Sequence, residues 1–541
     1  MHRLLDVFPA LSGDSRIARF FALVPGSEFG ADALTLIDTV GGRLIPWHEA
    51  CERSYDLVVS ASPKGDLHLL RGKRVLLPHG AGFNKALPWE GSSDSASGLD
   101  PLFLEQTDDA APIALHAVSH PDQISRLASV APRAAQKAKV TGDPTLDRVL
   151  AANSSRDRYR GAMRTGPRKL LALTSTWGPD SLLWRRPELP AQLVAQLPYD
   201  DYQVALIVHP NEWSRLGEYE LHEWLAPALE GGMLLPDPRD EWASVLVAAD
   251  ALITDHGSTA LYYAAVQDRP LVGAGGGTSE LIRDSPMEVL LSRIPQLGDA
   301  GSVVSALAAY RPGAATAAAR AAFAHQGDAL GRIRTELYAL LGLDPPHFTC
   351  TVRELPSPRP ASRVPTAFDV HIESAPDGIR VARHPAGTGP PGHHLAVEEG
   401  AATERFARSA DLLYRRPLPQ PCATAGLAWS SDGWTRWALS EHPACRSAAA
   451  VLPSGVCLLR VRGREAPYAV EAEPRSVNGR IARIDPAAAL SAVHAWLVSR
   501  RAGPGPGPGP DAPSRLTCVI GDGAFPVQLR PATSEEATQA V

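Results

Sequence analysis

The sequence predicts an α/β protein: two lobes of strand–turn–helix units around parallel sheets, then a smaller α+β domain. Three observations lead to this class. Short apolar runs alternate with helix-forming stretches through most of the chain, the pattern of parallel sheets covered by helices. The chain has 541 residues, too many for a single hydrophobic core. Around Asp344 the texture changes, and the Pro-rich stretch 353–365 (RELPSPRPASRVP) leads into shorter alternating runs, as a linker between domains does.

The first lobe is expected over 1–160, with strands at 4–8, 33–37, 57–60, 75–77 and 114–118 and helices at 17–23 and 47–53. Residues 91–98 (GSSDSASG) read as a polar loop. Residues 139–144 end a strand in a turn, and 146–150 begin a helix. The second lobe, 161–345, repeats the pattern with strands at 169–174, 203–208, 233–235, 251–254 and 271–273. Ala-rich segments at 302–325 and 328–341 are helical by propensity and suited to bracing the lobes together. A linker over 346–366 leads to the α+β domain, 367–541, with strands at 368–372, 426–429, 456–461 and 517–520 and a helix at 486–498. Trp429, Trp434 and Trp437 are read there as core or interface. The GPGPGPGP tract at 503–510 fits neither helix nor sheet. Residues from about Ala532 onward are expected to be disordered.

Hydrophobic residues make up 44% and charged residues 21%, an ordinary globular balance. The net charge of −6 argues against a general nucleic-acid binder, which needs a basic face. The six cysteines (Cys51, Cys350, Cys422, Cys445, Cys457 and Cys518) include no C-x-x-C pair, so free thiols are expected rather than a zinc site or redox motif. The opening residues show neither a long apolar core nor a small-residue cleavage site, and no stretch has the apolar length of a membrane span. A soluble, cytoplasmic protein is expected, with docking on a membrane surface left open.

The chemistry gathers at four turns. Stretch 245–272, VLVAADALITDHGSTALYYAAVQDRPLV, reads as helix, strand, turn, helix, strand. Its turn, Asp255-His256-Gly257-Ser258-Thr259, lies where a strand hands over to a helix N-terminus. Free N–H groups and the positive helix end make that a natural anion site; an ordinary Ser/Thr cap is the plainer reading. The turn from Leu77 through Pro78, His79, Gly80, Ala81 and Gly82 to Lys85 joins a His to flexible glycines and a cation, which suits a general base beside an anionic substrate. Val208-His209-Pro210 offers a second His, which a structural role would equally explain. Thr174-Ser175-Thr176-Trp177 offers hydroxyl donors to phosphate.

The order and spacing of these turns resemble the CDP-glycerol glycerophosphotransferases, the teichoic-acid polymerases and primases, a family with the GT-B glycosyltransferase fold. The family's W-H-G-T-P-x-K turn is matched by Pro78-His79-Gly80 with Lys85, its R-x-H-P by Val208-His209-Pro210, and its I-T-D-Y-S-S by Ile253-Thr254-Asp255-His256-Gly257-Ser258. Gly142-Asp143-Pro144 with Asp147-Arg148 resembles its G-x-P-R-x-D turn, and Ala172-Leu173-Thr174-Ser175-Thr176-Trp177 its A-P-T-W strand. The resemblance covers roughly residues 70–275. The sequence departs from the pattern at Ala81-Gly82, which replace Thr-Pro, and at Lys85, one residue later than usual. It departs again at Ile207, where a basic residue often stands, and at Tyr262, which replaces an Asp. In the related sugar-nucleotide 2-epimerases an acidic residue near that last position holds the ribose, so the nucleotide stays open. The third domain has no counterpart in the family.

The resemblance implies a GT-B-like pair of lobes that transfers a nucleotide-activated group to a hydroxyl acceptor, in cell-envelope chemistry. The donor would carry a CDP-linked polyol phosphate or a sugar; the acceptor would be a polyol phosphate, a glycan or a small molecule. Ser258, Thr259 and the backbone at Gly257 would hold the donor pyrophosphate on the second lobe, with Asp255, Thr176 and Lys85 in the same site. His79, across the cleft, would activate the acceptor. His209 would stabilise phosphate or act as an acid. No metal, cofactor or nucleic acid is called for. Two other readings stand beside this one. A sugar-nucleotide 2-epimerase would share the fold, but Tyr262 and Tyr263 stand where it needs carboxylates. A degenerate, non-catalytic lobe pair would bind only a ligand or partner.

Overall fold

The computed structural model describes the chain apart from residues 26–29, 78–79, 88–95, 97, 106–112, 277, 377, 390, 418–427, 478 and 502–513, and apart from the side chains of 30–32, 278, 500 and 501. Pro78, His79, Cys422, most of the 91–98 loop and the 503–510 tract therefore lie outside the described residues.

The first sheet holds β1 (Ser54–Ser60), β2 (Arg71–Leu76), β3 (Ile113–Val118) and β4 (Ala138–Val140), parallel and in that order. Three expectations fail ahead of it. Residues 4–8 belong largely to a helix, His2–Val7, and 33–37 to a helix, Gly30–Thr39. The expected helix at 17–23 is extended, with Phe21 bridging to Leu44. A five-residue apolar run does not fix its own period. At the N-terminus tertiary contacts decide: Asp6 is buried where it accepts from the Thr145 hydroxyl at 2.6 Å and from Arg148 at 3.3 Å.

The second sheet holds β5 (Lys169–Ser175), β6 (Tyr202–Val208), β7 (Ala251–Thr254) and β8 (Leu271–Gly273), all parallel, in the order β6-β5-β7-β8. β5 is buried from Leu170 to Ser175, as a central strand with both faces covered must be. The chain leaves β5 on one side to form β6 and returns on the other to form β7. The loops after β5 and β7 therefore part, and open α/β sheets bind ligands at such a switch point. The expected strand at 233–235 is a single bridge, Leu234 to Ala205. The helix Ala329–Leu341 returns to the first lobe, where Leu330, Ile333 and Leu337 share a core with Val75, Leu115 and Ala117.

The third region holds β9 (Ala367–Ala375), β10 (Gly378–Pro385), β11 (His394–Glu398), β12 (Leu412–Arg415), β13 (Ser447–Val451), β14 (Cys457–Val461), β15 (Tyr468–Ala472), β16 (Arg475–Val477), β17 (Arg480–Ala482), β18 (Ser514–Ile520) and β19 (Gly523–Pro531). Nine of these close a barrel in the order β10-β18-β19-β15-β14-β13-β12-β11-β9, with β16 and β17 paired apart. The helix Pro486–Arg501 shares one core with residues from all nine barrel strands. Its Ala487-Ala488-Ala489 run is small enough to be enclosed and is fully buried. This is an α+β region, as expected, built as a barrel around a helix. No strand forms at 426–429 among the described residues. Trp434 is buried, while Trp429 and Trp437 lie ring to ring at 5.6 Å. Residues 532–541 are ordered: Thr533 and Glu536 form a capping box on the helix Ser534–Thr538, and Val541 is buried.

The stretch 353–365 is pinned to the lobes. Arg148 donates to the carbonyls of Arg353 and Glu354 at 3.0 and 2.9 Å, Ser244 donates to that of Pro356, and Leu355 is buried. The barrel is tied to the second lobe by Arg383, fully buried, which donates to both oxygens of Asp200 at 2.7 and 2.6 Å and to Asp485 at 2.8 Å. No helix among the described residues is long and apolar enough to cross a membrane.

Candidate active site

The loops after β5 and β7 are tied together by one carboxylate. Asp255 Oδ2 accepts from the backbone N–H groups of Thr176 and Leu182, and Oδ1 from that of Gly257, all at 2.8 Å. Asp255 is 1% exposed. Its oxygens thus shape the turn from behind instead of reaching the cleft, and a carboxylate facing phosphate would repel it in any case. Beneath, the Thr174 hydroxyl donates to that of Thr254 at 2.8 Å. Gly257 fits because a Cβ there would stand 3.1 Å from Asp255 Oδ1 and 3.3 Å from Thr176 Cβ, tighter than packing allows without a shift. The turn feeds the helix Thr259–Val266, for which Ser258 supplies no side-chain cap. Gly257, Ser258, Thr259 and Thr176 all line the cleft, so these four sequence-predicted residues are brought together.

The first lobe meets this turn through Gly80, Gly82 and Lys85. His79 lies outside the described residues, but its neighbour Gly80 has φ +101°, and a Cβ there would lie 3.6 Å from the Ser258 hydroxyl and 3.7 Å from Arg3. Gly80 therefore lies against the Ser258 side of the cleft. Gly82 also has φ +101°, and a Cβ on it would come within 2.8 Å of Gln123; only glycine serves there. Beyond it the chain crosses to the second lobe: Ala86 N–H donates to the Glu280 carbonyl and Ile282 N–H to the Asn84 carbonyl, both at 2.8 Å.

Lys85, expected at the donor phosphate, is held inside this crossing. Its Nζ lies 2.8 Å from Glu280 Oε2, donates to the Trp177 carbonyl at 2.8 Å and sits 4.3 Å from the Trp177 ring centroid. The same Glu280 oxygen lies 2.9 Å from His256 Nε2. His256 is 2% exposed and its Nδ1 has no hydrogen-bond partner, a state that costs about 1–3 kcal/mol when nothing fills it.

His209 caps the helix Pro210–Trp224, its Nδ1 accepting from Asn211 N–H at 3.1 Å. The ring proton then belongs to Nε2, which makes this His a donor. Beside it Glu212, 1% exposed, accepts from Gly178 N–H and from Trp184 Nε1.

Sequence reasoning missed Arg3, His256 and Glu280 as site residues. Arg3 donates to both oxygens of Asp143 at 2.9 Å and to the Tyr262 hydroxyl, which itself donates to Asp143 at 2.7 Å. Burial opposes the Arg3 charge, yet Asp143 and Tyr262 outweigh it and hold the guanidinium ionised. Burial likewise keeps the Tyr262 phenol protonated. Tyr262 thus joins an Arg–Asp pair that borders the cleft.

The cleft between the lobes measures about 1940 Å³, against roughly 300–1,000 Å³ for a site that takes one small molecule. Seven lysines and arginines line it against two acids, Asp56 and Glu212, and five of the seven, Arg3, Arg16, Arg53, Lys85 and Arg215, are paired with carboxylates. Among the described residues no group of three His, Cys, Asp or Glu side chains is placed to hold a metal ion.

No family model matches the chain, and no curated protein matches it. Solved structures similar to it include the wall teichoic acid polymerase TagF, at 13% identity over 63% of this chain and 94% of that chain, with a TM-score of 0.43. HepE of Anabaena in complex with UDP and glucose is similar at 14% identity over 63% of this chain and 95% of that chain, TM-score 0.37. MnaA of S. aureus with UDP is similar at 12% identity over 65% of this chain and 96% of that chain, TM-score 0.39.

Proposed function

We propose that the protein transfers a nucleotide-activated group, a CDP-linked polyol phosphate or a nucleotide sugar, to a hydroxyl acceptor. The observation that carries this is the crevice between β5 and β7. There Gly257, Ser258, Thr259 and Thr176 open at a helix N-terminus into a cleft whose charged lining residues are mostly lysines and arginines. Developing negative charge on a leaving phosphate is stabilised by such fixed donors. Ser258, Thr259 and the Gly257 backbone hold the pyrophosphate, while Asp255 positions the turn. His209, donating through Nε2, adds a hydrogen bond to phosphate. His79, beside Gly80, takes the proton of the acceptor hydroxyl. The cleft volume leaves room for donor and acceptor together. The resemblance of the five turns favours a CDP-linked donor and cell-envelope chemistry, in the cytoplasm where activated donors are made, with the acceptor presented at a membrane surface or free.

The test is a thermal-shift screen with CDP, UDP and their polyol and sugar conjugates. A ligand that binds only the folded protein raises its melting temperature. Stabilisation by one base type, followed by transfer to a polyol or glycan acceptor, supports the reading. The second reading, a lobe pair that binds a nucleotide without transferring it, is favoured by one observation: Lys85 is already held by Glu280 and Trp177. Binding with no turnover on any acceptor would select it.

A further inference from the structure

We propose that Arg3 is a phosphate ligand, its guanidinium and the Ser258 hydroxyl holding one phosphate of the donor between them; the inference rests on the transferase reading above and deepens it. Arg3, on the helix His2–Val7, lines the same cleft as Gly80 and Ser258, and its side chain is 23% exposed. A Cβ on Gly80 would stand 3.7 Å from Arg3 Nη2 and 3.6 Å from Ser258 Oγ. Apart from the chain neighbours of Gly80, no other heavy atom among the described residues comes within 4 Å of that point. The missing side chain thus leaves a gap with a guanidinium nitrogen on one side and a hydroxyl on the other. Two atoms so close to one point are at most about 7 Å apart. A phosphate that bonds to both spans about 8 Å, with about 2.7–2.9 Å for the charged N–H bond and about 2.5–2.7 Å for the hydroxyl bond. The gap is therefore within the reach of one phosphate.

The guanidinium also has donors left for such a ligand. Nη1 donates to both oxygens of Asp143 at 2.9 Å, and Nη2 gives one hydrogen to the Tyr262 hydroxyl. Of the five N–H groups of an arginine, the second on Nη2 and the one on Nε meet no acceptor among the described residues. Asp143 does not cancel the charge outright. It is fully buried and caps the helix Pro144–Ala151, its Oδ1 accepting from Thr145 and Leu146 N–H at 2.8 and 3.1 Å. Its Oδ2 accepts from the Tyr262 hydroxyl at 2.7 Å. A carboxylate shared with a helix N-terminus and a phenol is partly neutralised by them, which leaves part of the Arg3 field for an anion in the gap. Lys85 is held by Glu280 and the Trp177 carbonyl, both at 2.8 Å, and does not take this place. Asp143 and Tyr262 fix the guanidinium before the ligand arrives, so little side-chain freedom is lost on binding. As the donor bond breaks, negative charge grows on the phosphate oxygens, and a cation fixed beforehand stabilises it.

Calorimetric titration of the full chain with CDP and UDP, and with cytidine and uridine, tests this. Arg3→Gln is expected to weaken the nucleotide that the wild type binds by about tenfold or more, the loss of hydrogen bonds to a charged group. It is expected to leave the nucleoside of the same base at its wild-type affinity, because the nucleoside has no phosphate to lose. Nucleotide affinity in Arg3→Gln equal to that of the wild type overturns the inference and leaves the transferase reading standing. Equal losses for nucleotide and nucleoside do the same, and assign Arg3 to holding Asp143 and Tyr262 together. If Arg3→Gln does not fold, wild-type crystals soaked with CDP or UDP decide. A phosphate bonded to both Arg3 and Ser258 supports the inference, and one out of hydrogen-bond reach of Arg3 overturns it. A wild type that binds neither nucleotide overturns both the inference and the transferase reading.

Discussion

Asp255→Asn keeps the side-chain volume but turns one acceptor into a donor. In the structure Oδ2 serves Thr176 and Leu182, and Oδ1 serves Gly257, at 2.8 Å each. The amide does best with its oxygen towards the pair of N–H groups, which sets its NH₂ against the N–H of Gly257. One charge-assisted bond, worth about 1.5–3 kcal/mol, is lost, and two others fall to neutral strength at a cost of roughly 0.5–1 kcal/mol each. The sum is on the order of 2.5–5 kcal/mol. In a unit of 150–250 residues each kcal/mol lowers the melting temperature by about 2–4 °C, so the transition of the second lobe should fall by roughly 10 °C. Nucleotide binding should weaken with it, because the Gly257–Thr259 turn loses its anchor. Differential scanning calorimetry with and without CDP or UDP measures both. A variant that melts with the wild type and binds nucleotide more tightly would refute the reasoning, since that is what removing a negative charge beside a bound phosphate does.

Ser258→Ala combined with Thr259→Val should weaken nucleotide binding about tenfold or more, the loss of hydrogen bonds to a charged group, with the melting temperature nearly unchanged; unaltered affinity in calorimetry removes the turn from the donor site. His79→Ala should lower turnover by about 10²–10⁴-fold while donor affinity holds, and full specific activity in the folded variant defeats the assignment. Burial, then the neighbouring Asp200, pushes the Asp201 carboxyl up to about 6 from 3.8; its favourable contribution is complete below pH 3.8 and is lost as pH rises through 6. Asp201→Asn should therefore gain about 1–3 kcal/mol over wild type at pH 8 and nothing at pH 4, a difference that melting curves at the two pH values test. The segment 353–365, pinned by Arg148 and Ser244, should survive limited proteolysis of the native protein, whereas first cleavage inside it would show that those contacts do not hold.

Much of the second lobe was legible because its signals are local. β5 to β8 are short apolar runs that end in turns, and a strand buried on both faces needs no partner in the sequence to be recognised. The helix Pro486–Arg501 announced itself by Ala content and length, but its enclosure by nine strands did not. Barrel closure pairs β9 with β10 and β10 with β18, the latter some 140 residues apart, and nothing in either strand names the other. The N-terminal misreadings have the opposite cause. Runs of five to seven residues carry too little period to separate helix from strand, so burial of Asp6 against the Pro144–Ala151 helix decides. The C-terminus, expected to be disordered from about Ala532, is ordered, and the capping-box spacing of Thr533 and Glu536 that orders it went unread.

The candidate site divides along the same line. Residues whose role comes from the local backbone, such as Gly257, Ser258, Thr259 and His209, sit where the turn chemistry put them. Residues whose role comes from a distant partner do not declare it. Lys85 reads as a cation for phosphate, yet its charge is met by Glu280 and its ammonium by the Trp177 carbonyl, 92 residues on. Arg3 reads as nothing, yet it lies beside Gly80 because Asp143, 140 residues later, holds it there. His256 differs from both: its place in the turn is local, and its orientation is set by Glu280, 24 residues on. The turn was thus found from sequence and its histidine passed over, because only the fold shows which ring nitrogen is spoken for. Glu280, rather than any motif residue, is thus the group that holds both the Lys85 ammonium and the His256 ring.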